Sequence, residues 1–331
     1  MDFSAPETQL WLAKVSLLAL LTVIAVVFAL AWWMSLRRKA AEGWQPSLIQ
    51  LVIGFITDFF DTLGVGSFAT TTSLYKFTNQ FPKHTRPVSD ENIPGTLNVG
   101  HTLPTILQAL IYINSIDIDL WTLWLLILAS VVGSYLGATF VTRLPKRQIQ
   151  LGMGIAMLVA VTLILAKLVG WIPAGGDSLG LTGWRLLVGL VGNFLFGALM
   201  TIGIGAYAPV MIMVSLLGMN QKAAFPLMMG SCAFLMPVAS YRFVSSGKYD
   251  PRAALGLTLF GLPAVAIAAF IVKELPLVAV NWLVVVVVII TAISLLMSAL
   301  RSNSPSLSTD GLTFRSDAAD DSVEPPTGNV P

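Results

Sequence analysis

Long apolar runs separated by short polar turns make up most of the chain. An apolar run of about 20 residues is long enough to cross a bilayer as a helix. The first run, 10–34, is followed by a basic turn and predicts one transmembrane helix. The later runs are Ser47–Phe77, Pro94–Ile113, Leu120–Thr142, Ile149–Val169, Trp184–Leu217, Ala223–Val244, Ala253–Val272 and Leu277–Leu300. The pattern therefore predicts an all-α polytopic membrane protein.

Two of these runs are longer than one crossing needs, and both are interrupted by glycines. The first contains Gly-Val-Gly at 64–66 and the second contains Gly-Ile-Gly at 203–205, each preceded by a threonine (Thr62 and Thr201). Irregular backbone at membrane depth is tolerated only where protein buries it or where it lines a cavity. Two glycine-broken segments at corresponding positions of two halves are typical of a transporter binding site.

The segments that follow each break keep the same order, which indicates an internal repeat of about 120 residues. Leu144-Pro145 of the first half corresponds to Leu275-Pro276 of the second. The division that follows is an N-terminal span with a basic linker (1–45), a first half (46–169), a linker (170–183), a second half (184–300) and a tail (301–331). The tail is rich in Ser, Pro and Asp and is predicted to be disordered.

The amino-acid composition excludes several classes of function. Of the 331 residues, 56% are hydrophobic and 11% are charged, whereas soluble domains carry about 25% charged residues. The net charge of +2 gives no reason to expect a nucleic-acid partner. One cysteine, Cys232, excludes an internal disulfide, and two histidines cannot build a histidine-rich metal site. We expect no enzymatic activity, no cofactor and no bound metal.

Basic turns predict the orientation in the cell (inner) membrane. The clusters 37–39 and 143–147 should both be cytoplasmic, since cytoplasmic loops carry an excess of Lys and Arg. This places the N-terminus outside and the C-terminal tail inside. Two full spans separate the loop 78–91 from the second cluster, so this loop should also be cytoplasmic. The run before it would then be a re-entrant pair of half-helices, with a single long tilted crossing as the alternative.

Each half is thus predicted to contain a glycine-broken re-entrant helix pair plus three transmembrane helices. Because three crossings are an odd number, the two halves would have opposite orientations. The predicted fold is two inverted repeats with one extra N-terminal transmembrane helix, an arrangement from which alternating access follows.

The glycine-broken opening of each half resembles the sulfite exporter TauE/SafE family, also called the toluene-sulfonate uptake permease family. Gly-Ser-Tyr-Leu-Gly at 133–137 with the basic turn 143–147, and Ala-Tyr-Ala-Pro at 206–209, are similar to further family motifs. Ser67 and Ala206 depart from the glycine run of the family at its third small position. The resemblance implies a secondary transporter of a small sulfur-containing anion, such as sulfite or an organosulfonate. The competing interpretations are a carrier of another small organic anion, a non-transporting membrane protein (an integral-membrane enzyme or a scaffold) and a channel.

The candidate substrate site combines helix N-termini at the breaks, which favour anions, with nearby polar side chains. The residues are Thr62, Gly64, Val65, Gly66, Ser67, Thr70, Asn98, His101, Thr201, Gly203, Gly205, Tyr207 and Ser231. Two other interpretations stay open for this set. The glycines are also typical of close helix packing, and the hydroxyl groups are also able to bond to carbonyls of their own helix.

Asp58 and Asp61 lie one helical turn apart, so they share a helix face just before the first break. Ionisable residues at membrane depth are expensive and mark functional sites. We predict an ion-coupling role for this pair, with a proton or another cation as the coupled ion. The alternative places both near the cytoplasmic mouth, paired with Lys76, Lys83 or Arg86.

Overall fold

The computed structural model describes residues 6–38, 45–79, 87–171, 176–203, 205–270 and 277–301. This part of the chain contains eleven α-helices and a short 3-10 turn at Gln221–Ala223. The helices are α1 (Pro6–Arg38), α2 (Leu48–Thr62), α3 (Phe68–Thr78), α4 (Ile93–Ser115), α5 (Leu120–Val141), α6 (Lys146–Leu168), α7 (Gly183–Met200), α8 (Tyr207–Leu216), α9 (Ala224–Ser246), α10 (Pro251–Phe270) and α11 (Leu277–Arg301). The prediction of an all-helical protein is confirmed. Of the predicted tail, 301–331, Arg301 is the last residue of α11, and 302–331 lie outside the described residues.

Six of the described helices are long and apolar enough to cross a membrane. They are α1, α5, α6, α7, α9 and α10. Helix α4 has 23 residues, enough to span a bilayer, but it is more polar. Its polar side chains are buried by neighbouring helices, among them Asn98, His101, Thr105 and Gln108. This helix, with its buried polar side chains, therefore lies inside the bundle.

Helices α4 and α9 form an antiparallel pair at the centre. A Cβ on Gly95 would lie 2.8 Å from the Phe243 ring, and Thr102 is 3.2 Å from Ser240 through their hydroxyl oxygens. Helix α10 packs along both α4 and α2, and α5 packs along both α9 and α7. The fourth helix of each predicted half therefore covers the first helix of the other half.

One end of the bundle, called here the Lys248 side, contains the turn 247–250 and the start of α4. These two segments are in contact, because Asp250 N donates to Thr96 Oγ1 at 2.8 Å. Helix α2 starts there and runs parallel to α10, with Gln50 against Gly256 near the start. Helix α3 ends there, because Lys76 Nζ lies 3.0 Å from Asp90 Oδ1 just before α4. The start of α2 and the end of α3 thus lie on the same side.

The opposite end, called the Asp119 side, carries the turn between α4 and α5. Asp119 N donates to the carbonyl of Leu179 at 2.9 Å, just before α7 begins. Gly176 N donates to the carbonyl of Met219 at 3.0 Å, just after α8 ends. The start of α7 and the end of α8 therefore also share a side, opposite to that of α2 and α3.

Helix α1 lies on the outside of the bundle against α4 and α9. Its buried side chains recur every four or seven residues and form one stripe: Leu17, Leu21, Phe28, Trp32 and Leu36. Most of its other large apolar side chains are exposed, as expected for a helix that faces lipid.

Candidate functional site

The two predicted glycine breaks are present as the turns α2–α3 and α7–α8. Gly64 ends α2 with φ of 91°, a left-handed conformation that favours glycine. Its N–H donates to the carbonyl of Asp61 at 2.9 Å, and Val65 N donates to that of Phe60 at 3.0 Å. The paired bonds satisfy carbonyls that the end of a helix leaves free. Gly203 has φ of 103° at the corresponding position after α7.

A cavity of about 20 Å³ lies between the two breaks. Its size is sufficient for about one water molecule. A Cβ placed on Gly205 would lie 3.8 Å from Phe68 Cβ, so the breaks come close at this point. The lining residues are Asp61, Gly66, Ser67, Phe68, Thr105, Met200, Gly205, Ala206, Met228, Met229 and Cys232.

The first turns of α3 and α8 both begin at this cavity. The first backbone bonds inside these turns are Thr71 N to Ser67 O at 2.8 Å and Val210 N to Ala206 O at 3.0 Å. The preceding N–H groups of each helix have no acceptor within their own helix. Each helix start also carries about half a positive elementary charge from the aligned peptide dipoles. The cavity therefore has two positive helix ends but, among its described lining residues, no basic side chain.

Asp61 is the one acidic residue among the described residues of the lining, and its exposed fraction is 8%. Gln108 of α4 donates through Nε2 to Asp61 Oδ2 at 3.2 Å and to Thr62 Oγ1 at 2.9 Å. Tyr112, one turn further along α4, donates to the carbonyl of Thr62. Two side chains of α4 thus hold the last turn of α2 beside the cavity.

Asp58 lies one turn earlier and does not line the cavity. Its Oδ1 is 2.7 Å from His101 Nδ1, and His101 Nε2 is 3.0 Å from Thr71 Oγ1, which links α2, α4 and α3. Both side chains, Asp58 and His101, are completely buried. Within the described residues, Asp58 Oδ2 has no hydrogen-bond partner. It faces Gly261 of α10, where an added Cβ would lie 2.1 Å from it.

This geometry contradicts the alternative in which the aspartates pair with Lys76. Lys76 is bonded to Asp90 at 3.0 and 3.1 Å, whereas Asp58 contacts His101. Lys83 and Arg86 lie outside the described residues.

The candidate hydroxyl groups mostly follow the back-bonding alternative. Thr62 donates to the carbonyl of Asp58 at 2.7 Å, Thr70 to that of Gly66 at 3.0 Å, and Thr201 to that of Ala198 at 2.6 Å. Ser67 differs from them, because it precedes α3 without a side-chain capping bond and lines the cavity.

Asn98, Ser231 and Val65 are not among the residues that line the cavity. Asn98 donates to the carbonyl of Pro94 at 2.9 Å, and Ser231 receives a hydrogen bond from Asn193 at 2.9 Å. Val65 is buried. The side chain of Tyr207 lies outside what the structure describes. Of the predicted residues, the cavity brings together Asp61, Gly66, Ser67 and Gly205.

Several residues at the site were missed by sequence reasoning. Thr105, Met200, Met228 and Met229 line the cavity, and Gln108 and Tyr112 hold α2. One signal was available on α4, where polar residues recur at spacings of three and four: Asn98, His101, Thr105, Gln108 and Tyr112. This spacing places them on one helix face.

A protein-family model described as "Sulfite exporter TauE/SafE" matches the chain twice, over residues 5–162 and 88–295. Together the two matches cover most of the 331 residues. Neither the curated proteins nor the solved structures contain a significant match. The family is one of membrane transporters of sulfur anions and not one of enzymes. The chain therefore belongs to the sulfite exporter TauE/SafE family and is a multi-pass membrane protein.

Proposed function

We propose that this protein is a secondary transporter that moves a small sulfur-containing anion, such as sulfite or an organosulfonate, through the cavity between the two breaks. The observation that carries the proposal is the meeting of two helix starts, one from each predicted half, at one small cavity. Free N–H groups and the positive end of a helix dipole favour an anion at such a position. A scaffold would not need two broken helices to meet at a shared cavity.

Alternating access is supported by the path of the chain. Helix α2 starts and α3 ends on the Lys248 side, whereas α7 starts and α8 ends on the Asp119 side. We infer two re-entrant pairs that enter from opposite faces, and hence two inverted repeats. The pairing of α2 with α10 and of α7 with α5 agrees with such a relation, because equivalent helices then make equivalent contacts.

Charge supports the predicted orientation. The turns on the Lys248 side include the basic segment 143–147 together with Lys248 and Arg252. Asp117, Asp119 and Asp177 lie on the other side. By the positive-inside rule the Lys248 side is cytoplasmic, with the N-terminus outside.

The transport cycle requires the cavity to widen. A space of about 20 Å³ is too small for sulfite, which has four heavy atoms, so binding needs one re-entrant pair to move. Asp58 and Asp61 lie on α2, and movement of α2 would change their surroundings. They are the candidates for coupling this movement to an ion.

A test uses purified protein in proteoliposomes and the variants Gly205→Leu and Gly205→Ala. Both variants change the same backbone position, but only leucine fills the cavity, since the nearest atom to a Cβ at this position is Phe68 Cβ at 3.8 Å. Counterflow of sulfite, thiosulfate and methanesulfonate is measured against acetate. We expect transport of at least one sulfur anion by the native protein and by Gly205→Ala, with a loss of at least tenfold in Gly205→Leu.

Normal transport by a correctly inserted Gly205→Leu variant would show that the anion does not pass through this cavity. Transport of acetate in preference to all three sulfur anions would contradict the proposed substrate class.

A further inference from the structure

The proposed anion cavity contains an acidic side chain and, among its described lining residues, no basic one. Asp61 is more than nine-tenths buried and lines the cavity beside Ser67 and Thr105. Most of the other lining groups are glycine, alanine or sulfur-containing side chains. An ionised carboxylate here would share a very small space with a negatively charged substrate.

Repulsion between two such charges is large. At an effective dielectric constant of about 20, two unit charges about 4 Å apart weaken each other's binding roughly 1,000-fold. A protonated carboxyl group removes this repulsion, and its O–H donates a hydrogen bond to the anion. Binding of the anion and binding of a proton to Asp61 must therefore favour each other.

The titratable groups that face Asp61 do not supply a positive charge to neutralise its carboxylate, so a proton must do so. On its own helix lies Asp58; α4 presents His101 and Tyr112; and α9 presents Cys232. His101 is already engaged by Asp58 at 2.7 Å. The lining residues from the other helices, at the starts of α3 and α8 and the end of α7, do not titrate.

A metal cation fits this position poorly. Gln108 presents its Nε2 to Asp61 Oδ2 at 3.2 Å. An amide N–H is a donor, whereas a sodium or other hard cation needs oxygen acceptors. The same donor is compatible with a protonated carboxyl group, since a second oxygen remains to carry the proton.

We propose that Asp61 takes up one proton together with the anion in the same cavity, so that the protein is a proton–anion symporter. The inference rests on the proposed function and assigns the coupling position within it. The proton binds at Asp61 when the anion enters and leaves with the anion on the other side, and no other bond is made or broken. Asp58, bonded to His101 away from the cavity, serves instead to hold α2, α3 and α4 together.

The test uses methanesulfonate and thiosulfate, because both keep their charge between about pH 5 and 9 whereas sulfite itself takes up a proton in this range. Proteoliposomes contain a pH-sensitive dye, and an inward gradient of either anion is imposed. In the native protein we expect acidification of the lumen with one proton per anion. Above the pH at which Asp61 is ionised in the free protein, the half-saturating anion concentration should rise about tenfold per pH unit.

Four variants sharpen the result. Asp61→Asn, whose amide also donates to an anion, should exchange the anion with no pH dependence and without moving protons. Asp61→Glu keeps a titratable group and should keep acidification, which protects the test if Asp61→Asn fails to insert. Asp58→Asn should keep one proton per anion whatever its rate. Glu91→Gln is the control, because Glu91 contacts Lys248 at one end of the bundle; its proton and anion transport should equal that of the native protein.

The outcomes separate the two proposals. If the native protein exchanges an anion but moves no proton, or if Asp61→Asn remains proton-coupled, the symport inference is overturned and the transport proposal stands. If the native protein exchanges none of the sulfur anions, the proposed function fails and the inference falls with it.

Discussion

The contact between Asp58 and His101 predicts a specific energetic coupling between α2 and α4. The two side chains are completely buried and 2.7 Å apart through Oδ1 and Nδ1. Removing the imidazole leaves the buried Asp58 carboxylate without compensation, which costs about 3–5 kcal/mol. His101→Ala should therefore destabilise the protein by about this amount.

Asp58→Asn should be much milder. The amide keeps an oxygen that accepts a hydrogen bond from the N–H of a neutral His101, so the loss is about 1 kcal/mol. When His101→Ala is made in the Asp58→Asn background, no charge is stranded. Its cost should then fall to about 1–3 kcal/mol, the range for an unsatisfied buried polar group. The expected coupling energy is about 2 kcal/mol.

The free energy of unfolding is measured by titration with SDS in mixed micelles, with tryptophan fluorescence as the readout. Glu91→Gln is the control, since the Glu91 and Lys248 side chains are 3.5 Å apart and 39% exposed. This change should alter stability by about 0.5 kcal/mol or less. An equal cost for His101→Ala in both backgrounds would refute the reasoning, because it would mean that no charge is stranded by the loss of the imidazole.

Two further predictions concern packing and topology. Gly54→Ala should destabilise the protein by about 1–3 kcal/mol in the same titration, because its Cβ would lie 2.6 Å from the Leu257 backbone. The control Gly230→Ala should cost less, since the nearest neighbours of its Cβ are flexible side chains at 3.4 Å. An equal loss of stability in the two variants would contradict the close packing of α2 on α10. On a cysteine-free background, a cysteine at Ser89 should react with impermeant reagents only from the cytoplasm and one at Ser178 only from outside. Labelling of both from one face would exclude inverted halves.

The apolar runs of the sequence are sufficient to predict the positions of the helices. Each predicted run forms helix with ends within about four residues of the expected ones, as α5 and α9 illustrate. The reason is local: a run of apolar residues of this length is stable in a bilayer only when its backbone bonds are satisfied within the segment. The positions of the two helix breaks could also be predicted from sequence, since Gly64 and Gly203 adopt positive φ angles that other residues rarely adopt.

The resemblance and the repeated landmarks also identified the family, which the matches to both halves bear out. The internal repeat was predicted from sequence because glycines and prolines mark backbone geometry, so that repeated units keep them at corresponding positions. The inverted orientation of the halves and the direction of the spans remain predictions.

The roles of the two aspartates were decided only by the tertiary structure. Asp58 and Asp61 are equivalent by spacing, but Asp58 lies against Gly261 of α10 and His101 of α4, whereas Asp61 faces the cavity. Likewise, sequence alone does not show that Met228 lines the same cavity as Gly66. Helix formation depends on neighbours along the chain, whereas the environment of a carboxyl group depends on helices more than 40 residues away, as with Asp58 and His101.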